Sequence, residues 1–314
     1  VTVCRKYLCL LNWFVFLAVL SGEMACSQVK QTGVPVVIFG IDDKASSSTD
    51  GVAFDSTKIR KMLEDAIESN PQLALVSGEQ DGTYKAELTL VLASERESTT
   101  SDEKGVYRAV QVDLSLTNWK NGHVEQRLSA LGKAFLVQDP KRQDRQRGFD
   151  KVCKKSIARA VELVGLQIAA RDMSPEELRA LLSSDDEDKR LYTLRSLRDR
   201  HEPGLQSKVI EMLDDPDADV ALEAVGVLVQ EKAKSAAVPL IRISRRRDRI
   251  FLLQIITALG EIGGPVARGF LFTVAAGHDS SEIRQRAREA LQHVLLNRPE
   301  DNTVALPRPG STSD

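Results

Sequence analysis

A period of 31 residues runs through the C-terminal half of the chain, marked by Asp186, Asp217, Asp248 and Asp279. The apolar positions keep the same step. Leu178, Val209, Leu240 and Leu271 form one series, and Leu181, Met212, Ile243 and Val274 a second. Leu194, Val225, Ile256 and Ala287 form a third, and Leu197, Leu228, Leu259 and Ala290 a fourth. A fixed period of this length means stacked supersecondary units, each too small to bury its own apolar face, so that only the stack has a core. Residues 173–298 are therefore expected to form an all-α solenoid of about four units.

The start of that region is written in capping chemistry. Ser174 reads as an N-cap, Pro175 takes the first helical position, and Glu176 and Glu177 place acids in the first turn. Each unit then reads as helix, tight polar turn, helix, with turns over residues 184–188, 214–219, 245–249 and 277–281. Second helices are expected from about Lys189, Val220, Ile250 and Glu282. Gly260, Gly263, Gly264 and Pro265 end a unit, because glycine and proline terminate helices. The segment VIEMLDDPDADVALEAVGVLV resembles the HEAT repeat, in the short form also found in phycobilisome-lyase-type proteins. The resemblance implies a surface that holds a protein partner. The first unit departs from it, with Tyr192, Arg195 and Arg198 on its second helix where small residues are usual. That departure predicts an end cap facing another domain.

Residues 31–172 read differently. GVPVVIFGI suits a buried strand, and a loop rich in Asp and Ser follows. Ser56 reads as an N-cap for a helix with Ile59, Met62, Leu63, Ala66 and Ile67 inward, which Asn70 and Pro71 stop. Leu73 to Val76 make a short strand. Three alternating strands follow. Tyr84, Ala86, Leu88, Leu90 and Leu92 share one face of the first, and Val106, Val110, Val112, Leu114 and Leu116 one face of the second. Leu128, Ala130, Ala134 and Leu136 do the same in the third. Asn121 and Gly122 between the last two are a hairpin signal, since both tolerate positive φ. A helix over about residues 148–170, with Phe149, Val152, Ile157, Ala160, Val161 and Val164 inward, supplies the cover that a one-sided sheet needs. The order β-α-β-β-β-β-α predicts an α+β two-layer sandwich ahead of the solenoid.

The VPVVIF strand, the LALVSG strand, the YKAELTLVL strand and the VQVDLSLTNWKNGHVEQ hairpin together resemble a small domain of exported bacterial envelope proteins. These are the lipoprotein activators of penicillin-binding proteins, the curli-secretion lipoprotein and the amino-terminal domain of the Tol-system propeller protein. Their hairpin tends to carry a lysine-threonine-glycine turn, where this chain has Trp119, Lys120, Asn121 and Gly122. The resemblance implies an envelope location and protein–protein work, without catalysis.

The first residues agree with that location. Arg5 and Lys6 precede an apolar run from Tyr7 to Leu20, which is short of the roughly 20 residues that span a bilayer and reads as an export signal over residues 1–26. Ser21, Gly22 and Ala25 suit cleavage. Cys26 stands where a bacterial lipoprotein carries its lipidated cysteine, although Glu23 occupies the position usually held by an aliphatic residue. The expectation is an exported protein, periplasmic or associated with the outer membrane, with Cys26 as candidate lipid attachment. The alternatives are a plain soluble exported protein and an uncleaved anchor. Of the four cysteines, Cys4 and Cys9 fall in the signal, and Cys153 falls on an apolar helix face as a buried free thiol.

Charge narrows the partner class. The chain carries a net charge of −2, and residues 30–172 hold 21 basic and 21 acidic side chains. Residues 173–314 hold 20 and 23. Neither half has the basic excess that nucleic acid demands. One turn breaks the acidic pattern: Arg245, Arg246, Arg247 and Arg249 surround Asp248, and Arg242 lies one turn earlier. These arginines are candidates for a partner, a phosphate or a lipid head group, against the reading that they pair with acidic neighbouring turns such as Asp214. No metalloprotease, zinc-knuckle, phosphate-loop or nucleophile-elbow motif occurs, and His123, His201, His278 and His293 are scattered. Asp42, Asp43 and Asp50 lie in a loop where carboxylates could hold a cation, but without other ligands a solvated acidic loop is the better reading. The expected function is a non-enzymatic envelope scaffold or adaptor binding a protein through the solenoid, with no cofactor, metal or catalytic residue. The alternatives are an enzyme or enzyme subunit, using the loop over residues 42–50 or the solenoid groove, and an anion or phospholipid binder using residues 242–249. Residues 299–314, rich in Pro, Ser and Asp, read as a disordered tail.

Overall fold

The computed structural model describes residues 33–45, 52–78, 82–100, 103–120, 123–138, 145–245 and 248–296. The expected signal, Cys26, Asp50, the Asn121 and Gly122 turn, Arg246, Arg247 and the tail over 299–314 lie outside the described residues.

The N-terminal half follows the expected order. Strand β1 (Val34–Asp43) leads to α1 (Ser56–Glu68), β2 (Leu73–Leu75), β3 (Tyr84–Thr100), β4 (Glu103–Lys120), β5 (His123–Gln138) and α2 (Arg145–Ala169). The sheet runs β2-β1-β3-β4-β5. Strand β1 is parallel to both neighbours, and β3, β4 and β5 form an antiparallel meander. Both helices cover one face, where Val110, Val112, Leu114 and Leu116 meet Phe149, Val152, Ile157 and Val161 in a single core. Gly132 explains how closely α2 lies on β5. A Cβ there would stand 1.9 Å from the Ser156 carbonyl oxygen. The Ser156 hydroxyl donates to the Val110 carbonyl at 2.7 Å across the same contact.

Two local expectations are corrected. The N-cap of α1 is Asp55, whose carboxylate accepts the Thr57 N–H at 2.8 Å, and Ser56 is the first helical residue. Leu92 leaves the inward face. A bulge between Leu90 and Leu92 inserts one residue, so Leu92 is 45% exposed and Ala93 takes the buried position opposite Val110. A residue with an unforeseen role also sits inward: Arg108, fully buried in the apolar row of β4, bonds Glu95 at 2.6 Å.

The C-terminal half is all helical. Its first unit is α3 (Pro175–Leu181) and α4 (Glu187–Asp199), and its second α5 (Gln206–Glu211) and α6 (Ala218–Gln230). The third is α7 (Ala237–Ser244) and α8 (Arg249–Ile262), and the fourth α9 (Gly264–Gly277) and α10 (Ser281–Leu296). Ser174 and Glu177 form a reciprocal capping box at the head of α3. The aspartate period has a mechanical cause. Asp186 accepts the Lys189 N–H, Asp217 those of Asp219 and Val220, and Asp248 that of Phe251, so each caps the second helix of its unit. At α10 the capping position has slipped by one residue: Ser280 precedes the helix and its carbonyl accepts the Arg284 N–H. Leu178, Val209, Leu240 and Leu271 are all fully buried, as are Leu194, Ile256 and Ala287 of the third series. Gly263 and Gly264 carry φ of 69° and 89° between α8 and α9, a left-handed pair that side chains resist. Units one and two are joined by a fork: Arg190 reaches both Asp215 carboxylate oxygens at 2.8 and 2.9 Å, and the Ser184 carbonyl at 2.8 Å.

Candidate protein-binding groove

Second helices pack on second helices along the stack, α4 on α6, α6 on α8 and α8 on α10. Their free face forms a groove of about 620 Å³. Its floor is apolar. Leu222, Val225 and Val229 come from α6, and Ile250 and Leu253 from α8. Leu222 is 37% exposed and Ile250 is 70% exposed, although α6 and α8 also bury a full set of apolar residues inward. Its rims are charged and internally paired. Arg198 bonds Glu223 at 3.2 Å on one side. On the other, Lys232 donates to Glu261 at 3.0 Å and holds that carboxyl below its usual range, and Arg286 meets Glu289 at 3.5 Å. The Thr257 hydroxyl in the wall donates to the Leu253 carbonyl. Such a surface can bury an apolar ridge and fix its register with ion pairs. Leu222 and Val229 stand outside the 31-residue series, and that excess of apolar residues is the sequence signal for the groove.

The arginine turn sits elsewhere. Arg242 bonds Asp214 at 2.5 Å, Arg249 pairs with Glu282, and Arg245 is exposed at the end of α7. The two pairs match the expectation of acidic neighbouring turns. In the acidic loop, Asp43 accepts the Ala45 N–H at 2.9 Å and Asp42 lies 3.6 Å from Lys44. Among the described residues no group of three His, Cys, Asp or Glu side chains is arranged to hold a metal ion. Likewise, no helix among them is long and apolar enough to cross a membrane.

The first unit docks on the sheet domain, as its unusual side chains predict. Tyr192 is 2% exposed within the core of the N-terminal half. Its hydroxyl accepts the Leu131 N–H of β5 at 2.6 Å, and the Arg195 guanidinium lies 4.7 Å over its ring. Arg159 of α2 bonds Asp188 at 3.1 Å and also pairs with Asp186. Burial works against the Asp186 carboxylate, but the Arg159 bond and the Lys189 N–H outweigh it and hold that group low. At Asp188 burial wins and the carboxyl is raised. Arg200 closes the end of α2, donating to the carbonyls of Ala170, Arg171 and Met173 at 3.0, 3.1 and 2.5 Å. Arg159 and Arg200 are single arginines in charged stretches, and nothing in their spacing marks them.

Residues 207–292 match the family model for HEAT repeats. The match lies within the all-helical half and spans its second to fourth units, and the groove is the face built by the second helices. The N-terminal half is similar in shape to several solved bacterial proteins. A minor lipoprotein of Acinetobacter baumannii is 11% identical with a TM-score of 0.26, covering 44% of this chain and 94% of that one. The rare lipoprotein B of Shewanella oneidensis is 13% identical with a TM-score of 0.24, covering 44% and 96%. A hypothetical protein of Chlamydia trachomatis is 10% identical with a TM-score of 0.28, covering 44% and 95%. The search of curated proteins finds no match.

Proposed function

We propose that this protein is a non-enzymatic scaffold or adaptor that holds another protein in the groove of its HEAT units. The observation that carries the reading is the solvent-facing apolar floor between paired, charged rims. Covering apolar surface is worth about 25 cal/mol per Å², and an uncovered stripe of this kind marks an interaction site. Among the described residues its carboxylates, Glu223 and Glu261, are already engaged with Arg198 and Lys232. In this reading residues 1–26 direct export, Cys26 carries a lipid, and the partner is a component of the bacterial envelope. Support for export comes from Arg5 and Lys6 ahead of the apolar run.

The test is site-specific photo-crosslinking in the native envelope. A photoreactive residue at Ile250 should give a discrete protein adduct, whereas one at Val238, on α7 outside the groove, should not. Ile250→Glu and Leu222→Glu should weaken the complex tenfold or more. Equal adducts from both positions, or none from Ile250, would sink the groove. Lipidation is read separately, by fatty-acid labelling that Cys26→Ala should abolish.

A further inference from the structure

The junction of the two halves encloses a second cavity, of about 410 Å³, whose wall gathers three guanidiniums: Arg171 from the end of α2, Arg195 from α4 and Arg200 just beyond it. Among the described residues no carboxylate lines it. Two acids stand behind the wall. Glu202 bonds Arg200 at 2.5 Å, and Glu223 is shared between Arg195 at 3.3 Å and Arg198 at 3.2 Å. Among the described residues the three lining guanidiniums therefore meet two carboxylates, one of them shared with Arg198 of the groove rim, and the Arg171 side chain has no partner there. The arginines differ in freedom in a useful way. Arg200 is locked by three carbonyls and Arg195 lies on the Tyr192 ring, so both are already oriented. Arg171 is exposed and can close on a ligand. The neutral wall supplies further donors. The Gln126 amide oxygen accepts the Tyr84 hydroxyl at 2.6 Å, which leaves its two N–H groups without an acceptor among the described residues. Buried Leu128 adds an apolar patch, and the volume exceeds what a bare inorganic anion fills.

Convergent like charges in a partly enclosed cleft cost stability unless an anion sits among them, and guanidinium forks match phosphate oxygens with paired hydrogen bonds. We propose that the junction cavity binds the phosphate-monoester group of a small organic molecule, the dianion seated between Arg171, Arg195 and Arg200. The site needs both halves, since Gln126 and Arg171 come from one and Arg195 and Arg200 from the other. It is separate from the groove, so a ligand here and a protein partner there would occupy different faces. It is also apart from the arginine turn over residues 242–249, which joins α7 to α8.

Full-length protein, titrated with glycerol 3-phosphate at constant ionic strength, tests this by calorimetry and thermal unfolding. A saturable heat and a rise of a few degrees in Tm are expected, with chloride giving neither. Arg171→Ala should weaken binding about tenfold and Arg171→Glu should abolish it. Arg242→Ala should leave it unchanged. The exposed Arg171 side chain has no hydrogen-bond or ion-pair partner among the described residues, so these variants should unfold at the parent temperature without ligand. Vesicles separate the two sources of such a group. Cosedimentation with phosphatidic acid, but not phosphatidylcholine, that Arg171→Glu removes would assign a lipid head group. Binding of glycerol 3-phosphate without cosedimentation would assign a soluble ligand. A Tm rise that chloride reproduces, tighter binding of citrate than of the phosphate ester, or binding indifferent to Arg171→Glu would overturn the proposal.

Discussion

Asp186, Asp217 and Asp248 perform one task three times, and the best placed of them is Asp217, which accepts two backbone N–H groups at 3.0 Å. Losing a cap of this kind costs about 1 kcal/mol, so Asp217→Ala should lower the unfolding free energy by about that amount and Asp217→Asn by less. Equal losses for the two would show that charge, and not capping, matters there. Glu177 makes a different prediction. The Ser174 backbone N–H and hydroxyl hold its carboxyl below the ordinary value. A lowered folded-state pKa gives stability that is present above the unfolded value of 4.5 and disappears as pH falls through the folded one. Hydrogen exchange at the head of α3, corrected for intrinsic rate, should therefore quicken below about pH 4. Glu177→Gln should abolish that pH dependence. Cys153 is closed to chemistry. Burial pushes its thiol up to about 12, helped by Asp150. Alkylating reagents at pH 8 should leave Cys153 unmodified in the native protein and label it on denaturation. Rapid native labelling would mean that α2 lifts from the sheet.

Among the elements, the solenoid was the most legible because one physical requirement, a shared core every 31 residues, repeats four times and averages out local irregularity. Its turns and second helices begin within two residues of the positions expected from spacing alone. The sheet was legible wherever strict alternation holds, as in β4 and β5. It failed at Val91, because an inserted residue moves every later side chain to the other face and composition does not announce it. The buried Arg108 was hidden for a related reason. An arginine in an apolar row reads as an exception until Glu95 is seen beside it. Gly132 carries a test of the α2–β5 contact. The backbone oxygen of Ser156 occupies the place of a Cβ, so Gly132→Ala must push the helix off the strand. A loss of roughly 1–3 kcal/mol is expected by denaturant unfolding, as for other overpacked cores. A neutral result would mean that the helix rides higher than described.

At the scale of the whole molecule the two halves share side chains as well as a border. The odd residues of the first helical unit announced a cap facing another domain, and Tyr192 fills that role by entering the core of the sheet half. The groove was partly visible in the surplus apolar residues of α6. The junction cavity was not visible at all, since Arg171, Arg195 and Arg200 become neighbours only when α4 seats on β5. Tyr192→Phe keeps the ring and removes the acceptor, leaving the Leu131 N–H on a covered edge with nothing to bond. A loss of about 1–3 kcal/mol is expected, with the thermal transition splitting toward two steps if the hydroxyl couples the halves. A single, unshifted transition would show that packing alone joins them.

The Tyr192 hydroxyl also sets a schedule. It lies 61 residues downstream of the strand edge it covers. At roughly 5–20 residues per second, synthesis of Tyr192 follows that of Leu131 by about 3–12 s, an interval in which a β5 that has already folded has a bare edge. A free strand edge is a template for another chain. The price of letting a later segment finish an earlier domain is therefore a brief, repeated exposure to neighbours doing the same. Any factor that stalls the chain between β5 and α4 should raise aggregation while leaving the finished protein untouched.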